Sequence, residues 1–301
     1  MLEDFCKYLQ TEKRYSEHTV KAYRTDIAAF LEFAEIPSDK VSEVNSQLIR
    51  AWVSSLLGAK KRTKLSARSV NRKLAALRSF FNYLRREGFV QHNPLTKVTA
   101  PKIRKQLPTF FNEDKLNNYL NEKATTDNGY DNIRNLTILE VLYGTGMRVA
   151  ELTALQCYDI DLSSKTIKVT GKGNKQRYIP ISLHLEKVLE NYLSARSEFI
   201  ENRQESGLFL TSKGKQIYVK LVYLIVRAQL SKGGFTEKRS PHVLRHSFAT
   251  HLLNHNADLN GIKELMGHAN LGATQVYTHN SFQKMKAIYK KAHPHADKEE
   301  G

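Results

Sequence analysis

Apolar residues recur three and four positions apart through the first hundred residues of the chain. Leu2, Phe5, Cys6 and Leu9 form one stripe, and Tyr23, Ile27, Phe30, Leu31 and Ala34 form a second behind Ser16, whose hydroxyl suits a helix N-cap. A third runs through Leu48, Ile49, Trp52, Val53, Leu56 and Leu57 to a stop at Gly58. The fourth is the cleanest, with Ser66 as N-cap, Val70, Leu74, Leu77, Phe81 and Leu84 on one face, and Gly88 as the C-terminal stop. This spacing predicts a four-helix domain over residues 1–98.

The pattern then lapses. Pro94, Pro101 and Pro108 punctuate a basic stretch containing Lys97, Lys102, Arg104 and Lys105. Proline disfavours helix in the residue before it, so the stretch from 93 to 108 is expected to be extended, with residues 99–108 as a basic linker and 109–301 as a second domain. There the period changes. An apolar helix is expected over 133–143, ending at Gly144, and helical spacing resumes over 149–155 after the turn of Gly144, Thr145 and Gly146. Residues 166–170 and 176–181 alternate and flank a glycine-containing tip at 171–174, which predicts a β-hairpin. From about Leu183 onward the chain reads as mostly helical. The expected fold class is therefore mainly α with a small β-sheet, the second domain being α+β.

Length agrees with two cores, since 301 residues exceed one ordinary domain and 41% of them are hydrophobic. Charge adds a partner. Lys and Arg number 47 against 30 Asp and Glu, a formal net charge of +17. Split at residue 100, the halves carry +8 and +9. Comparable basic excess on two folded halves suits a polyanion lying against both, most simply nucleic acid. The two cysteines, Cys6 and Cys157, exclude a disulfide framework and a paired-cysteine zinc site and fit a reducing cytoplasm. No run of about 18 apolar residues suggests a membrane span, and the N-terminus lacks a secretory signal, so a soluble cytoplasmic protein is expected.

Six residues carry candidate chemistry. Arg148 follows two glycines and opens a helix that also carries Glu151, which suits an anionic oxygen. Lys172 occupies the hairpin tip between Gly171 and Gly173, where a mobile turn could bring an ammonium group to a leaving oxygen. Ser240 and Pro241 form a helix start, and His242 and Arg245 follow three apart on one face; that pair is poor for a metal and good for a phosphate. His246 and His251 are expected to pack. His268 follows Gly267, a C-cap after Ile262, Leu265 and Met266, and Tyr277 stands nine residues further on. In the first domain, Arg68, Arg72 and Lys73 on the fourth helix, preceded by Lys60, Lys61, Arg62 and Lys64, suit phosphate contact and groove entry. Lys175 and Arg177 beside the hairpin tip are further candidates for backbone phosphates.

The stretches 144–152, 242–253 and 266–279 resemble the arginine boxes and tyrosine motif of the tyrosine recombinases, also called phage-type integrases. The resemblance extends over nearly the whole chain and is greatest to the Xer type, which resolves chromosome dimers. Two domains without an added arm-site domain, and an end reading Tyr289, Ala292, His293 and Pro294, favour that type; Gly272 and Ala273 stand where small hydroxyl residues are commoner.

The resemblance implies a helical core-binding domain of SAM-like type and a catalytic domain, closing on double-stranded DNA as a C-shaped clamp. It implies that Tyr277 attacks the scissile phosphate to form a 3′-phosphotyrosyl bond and free a 5′-hydroxyl. Arg148 and Arg245 would neutralise the phosphoryl centre, His242 and His268 would donate hydrogen bonds or assist proton transfer, and Lys172 would protonate the leaving oxygen. Glu151 would orient its neighbours. No metal or cofactor is implied. The expected assembly is a homo- or hetero-tetramer with a related recombinase, under possible control by a septal DNA translocase. Phe282, Met285, Ile288 and Tyr289 have the spacing either for a helix docking on a neighbour or for packing on their own domain. A mobile-element integrase, a type IB topoisomerase, and a DNA-binding protein that has lost catalysis are the other readings; retention of all six residues argues against the last.

Overall fold

A computed structural model describes residues 1–58, 64–103, 109–123, 129–171, 174–200 and 205–267. It divides the chain into two compact units, Met1–Gln106 and Leu107–Gly301.

In the first unit, helices α1 (Leu2–Thr11), α2 (Glu17–Ala34), α3 (Ser46–Gly58) and α4 (Ala67–Arg86) turn their apolar stripes to one core. Phe5, Leu9, Ile27, Phe30, Trp52, Leu74, Leu77, Phe80 and Phe81 are buried there. Each such side chain contributes roughly 1.5–3 kcal/mol on leaving water. The hydroxyls of Ser16 and Ser66 accept the amide N–H of Thr19 and Ser69, at 3.4 and 3.2 Å, and so cap α2 and α4. The segment after Gly88 differs from the extended expectation. Asn93 is extended, but its side chain accepts the Leu95 amide at 2.9 Å and starts a 3-10 turn over Pro94–Lys97. Proline is tolerated at the first turn because its missing N–H would have no partner there. Leu95 and Val98 join the first core.

The second unit is built around α6 (Tyr130–Thr145), which is buried on several sides: Ile138, Leu139, Val141, Leu142 and Tyr143 are all covered. Helices α8 (Leu183–Ile200), α9 (Val219–Lys232) and α10 (Pro241–Asn254) pack on it, with α5 (Glu113–Lys123) alongside. The helix α6 runs past Gly144 and stops at Gly146, whose φ of +59° gives the left-handed C-cap. Gly144 is a buried helical residue, since a glycine does not by itself end a helix. The short α7 (Val149–Ala154) follows, then β1 (Ile160–Asp161), β2 (Thr166–Thr170) and β3 (Gln176–Pro180) in an antiparallel sheet of order β1-β2-β3. In the β2–β3 register Ile167 faces Ile179 and Val169 faces Arg177, and all four are buried. The last described helix, α11 (Leu259–Met266), ends on Gly267 at φ +65°. Among the described residues no helix is long and apolar enough to cross a membrane.

Candidate active site

Helix α10 is held in register by a chain of hydrogen bonds through the buried His251. Its Nε2–H donates to the Phe111 carbonyl at 2.9 Å, which leaves Nδ1 to accept the Tyr143 hydroxyl of α6 at 2.8 Å. Burial holds this imidazole below its ordinary pKa, in keeping with a neutral ring. Ser247 Oγ accepts the Phe111 amide at 2.8 Å. Ser240 occupies the N-cap position of α10, as its sequence suggests, but its side chain makes no cap hydrogen bond. His242, in the first turn, is exposed beside the Tyr223 ring, while Arg245, one turn on, is buried. The two therefore share a helix but differ in depth.

Arg245 reaches from α10 to two backbone carbonyls. Its guanidinium donates through Nη1 to Gly146 O and through Nη2 to Met266 O, the latter at 2.6 Å. Arg148 sits at the N-cap position of α7 with a half-exposed side chain. Its Nη1 donates to Glu151 Oε1 at 2.9 Å, its Nη2 donates to Gly267 O at 3.0 Å, and its own amide donates to Glu151 Oε2 at 2.8 Å. The left-handed turn at Gly146 makes this convergence possible, because it reverses the chain between α6 and α7 and exposes a carbonyl to Arg245. A Cβ at Gly146 would collide with the Phe248 ring.

Arg177 completes the cluster, and here the structure corrects the sequence reading. Placed among the residues for backbone phosphates, Arg177 is buried. Its guanidinium forks onto Glu151 at 3.0 and 2.9 Å, and its Nε donates to Leu265 O at 3.0 Å. Three arginines thus donate to three successive carbonyls at the C-terminus of α11: Arg177 to Leu265, Arg245 to Met266 and Arg148 to Gly267. The negative end of the helix dipole favours cations there. Burial alone would raise the Glu151 carboxyl, but the Arg177 fork, and then Arg148, outweigh it and hold the group below its ordinary value. Arg245 moves the opposite way, lowered to about 10 by burial and by repulsion from Arg148 and Arg177. Three guanidiniums surround one carboxylate and leave a net positive charge, and Arg148 is half exposed; the arrangement can receive an anionic oxygen.

Arg72 and Lys73 of the first unit also differ from expectation. Both are drawn onto Asp26 of α2, which is 1% exposed, with Lys73 Nζ at 2.8 Å and Arg72 Nη1 at 2.5 Å. Lys73 also lies 5.8 Å from the Trp52 ring centroid. Their first partner is a buried carboxylate, although Arg72 itself is half exposed; Arg68 on α4 and Lys175 beside β3 are exposed as well. Lys172, His268 and Tyr277 lie outside the described residues, as do the docking-helix positions Phe282, Met285, Ile288 and Tyr289. The Asp26 and Arg177 pairs had a sequence signal. Asp26 stands on the apolar stripe of Tyr23, Ile27 and Phe30, and Arg177 alternates with Tyr178 so as to share a face with Ile179.

The chain matches the Phage integrase family over residues 109–284 and the phage integrase N-terminal SAM-like domain over residues 2–88. It is 38% identical to the tyrosine recombinase XerC of Oceanobacillus iheyensis over 98% of this chain and 96% of that one. It is 40% identical to the XerC of Pediococcus pentosaceus over 96% of each. Among solved structures, XerH bound to a palindromic difH substrate in a post-cleavage complex is 25% identical with a TM-score of 0.69, covering 95% of this chain and 82% of that one. A lambda integrase dimer on a core site, 16% identical with a TM-score of 0.68 over 94% of this chain and 93% of that one, shares the fold.

Proposed function

Because this chain belongs to the phage integrase family and is a site-specific tyrosine recombinase, we propose that it exchanges DNA strands through Tyr277. The Tyr277 oxygen forms a bond to the scissile phosphorus while the bond from phosphorus to the 5′ oxygen breaks. The phosphate becomes a 3′-phosphotyrosyl ester, the tyrosine proton passes to a neighbouring base, and the departing 5′ oxygen takes a proton from Lys172. The ester keeps the energy of the broken link, so the 5′-hydroxyl of a second duplex can reverse the step.

The observation that supports this reading is the meeting of Arg148 and Arg245 at the end of α11, from which the chain continues into His268 and Tyr277. Negative charge accumulates on the phosphoryl oxygens during attack, and two preorganised guanidiniums offset it by forked, charge-assisted hydrogen bonds. Glu151 fixes the Arg148 rotamer. His242 and His268 donate to the same oxygens or relay protons. Arg68 and Lys175 contact backbone phosphates. The protein acts in the cytoplasm.

Identity of 36–40% to XerC proteins over nearly the whole chain supports a role in chromosome dimer resolution and segregation. The active assembly is then a homo- or hetero-tetramer with a related recombinase, and a septal DNA translocase is a fitting activator. An integrase of a mobile element is the second reading, carried by a shared fold with a transposon integrase at 18% identity.

A nicked suicide duplex of the recombination site, from which the cleaved strand end diffuses away, tests the chemistry. Wild type accumulates a covalent protein–DNA adduct and Tyr277→Phe does not. Absence of adduct from bound wild type, with its partner recombinase supplied, rejects the reading.

A further inference from the structure

We propose that Arg177 is a positioning residue for strand exchange: it clamps and neutralises Glu151, so that Arg148 keeps both its aim and its positive charge for the scissile phosphate. The inference rests on the reading that Arg148 receives that phosphate, and it concerns a residue that itself touches no DNA. The side chain is 6% exposed, and its Nε, Nη1 and Nη2 are directed to protein oxygens at 3.0, 3.0 and 2.9 Å.

Charge makes the case. Glu151 and Arg148 alone would form a neutral pair, and a neutral pair has little attraction for a phosphodiester. Arg177 supplies the charge that neutralises the carboxylate, and Glu151 can then hold the Arg148 amide and Nη1 without cancelling the cation. Geometry extends the role. The Glu151–Arg177 pair lies where three segments meet. A Cβ on Gly171, which precedes Lys172, would lie 3.5 Å from Glu151 Oε1 and 3.8 Å from Arg177 Nη1. A Cβ on Gly267, which precedes His268, would lie 3.0 Å from Arg177 Nη1. The base of the hairpin turn, the start of α7 and the end of α11 therefore close on one buried ion pair. Each adjoins one or more members of the proposed catalytic set, and the groups facing Glu151 are Arg148 before α7, Arg177 on β3 and, more distantly, Arg245 on α10.

Single-turnover cleavage of the suicide duplex by Arg177→Lys and Arg177→Gln, with DNA affinity measured in parallel, separates positioning from contact. Arg177→Lys keeps the charge and loses the fork, and it serves if the glutamine variant fails to fold. The expected result is a cleavage rate lowered about tenfold to a hundredfold, with affinity and its salt dependence within about twofold of wild type. Without the fork, burial raises the Glu151 carboxyl. The ratio of variant to wild-type rate therefore falls further as pH is lowered from about 8 to about 5.5, because a protonated Glu151 no longer orients Arg148. A general folding defect leaves that ratio flat. Wild-type cleavage by both variants overturns the proposal, as does a reduced salt slope, which would make Arg177 a phosphate contact. Wild type that forms no adduct defeats the underlying reading instead, so the two failures are distinct.

Discussion

At the scale of single residues, the site depends on a few groups whose conformation leaves little choice. Gly146 combines a φ of +59° with a carbonyl that receives Arg245 and a ring of Phe248 against its open face. Gly146→Ala is expected to cost about 3 kcal/mol of stability, from left-handed strain and overpacking together, read as a lower denaturation midpoint. His251 gives a pH signature. Its folded pKa is depressed by burial, so the unfolded chain binds the extra proton and stability falls as pH drops below the ordinary histidine value of about 6.5. His251→Gln keeps a donor and an acceptor without a titrating proton, and its melting temperature should vary less than that of wild type between about pH 7 and 5. Sequence order named the charged members of the site, because Arg148, Glu151 and Arg245 stand in long motifs. It misplaced Arg177, because a lysine and arginine run beside a glycine turn looks solvated. The alternation of β3 outranks that composition: every second residue faces inward, whatever its charge.

At the scale of elements, helices with a strong apolar period were legible and their ends less so. Ser16 and Ser66 cap as expected, since a serine hydroxyl before a periodic run meets an open amide. Ser240 does not, although its position is right, because N-cap backbone geometry can form without the side-chain bond. The helix before Arg148 continues one residue beyond Gly144 and is capped by Gly146 in the left-handed conformation. The basic face of α4 divides into two proposed roles. Lys73 and Arg72 stabilise the buried Asp26, whereas Arg68 is exposed. Lys73→Met should therefore destabilise the first unit by about 2 kcal/mol by leaving Asp26 to a half-exposed Arg72. Arg68→Ala should leave folding unchanged and lower the salt slope of DNA binding by about one unit. Thermal melting and a salt titration of affinity, run on both variants, distinguish the two roles; a shared effect on the slope alone would return Lys73 to the DNA-contact set.

At the scale of the whole molecule, the chain forms two units, both of them basic, and each folds around its own buried core. The sequence signal for a division is the lapse of helical periodicity between residues 93 and 108, although Leu95 and Val98 at its start are buried in the first core. The spatial meeting of arginines drawn from β3, α10 and the α6–α7 turn was not legible, since sequence spacing carries no distance between elements far apart in the chain. The central claim is that these arginines serve a phosphate attacked by Tyr277. Proteolysis of the trapped adduct, nuclease trimming and mass spectrometry of the nucleotide-bearing peptide test it most directly. A single peptide containing Tyr277, esterified through a 3′-phosphate, is the predicted product; attachment at another residue, or through a 5′-phosphate, would contradict the account.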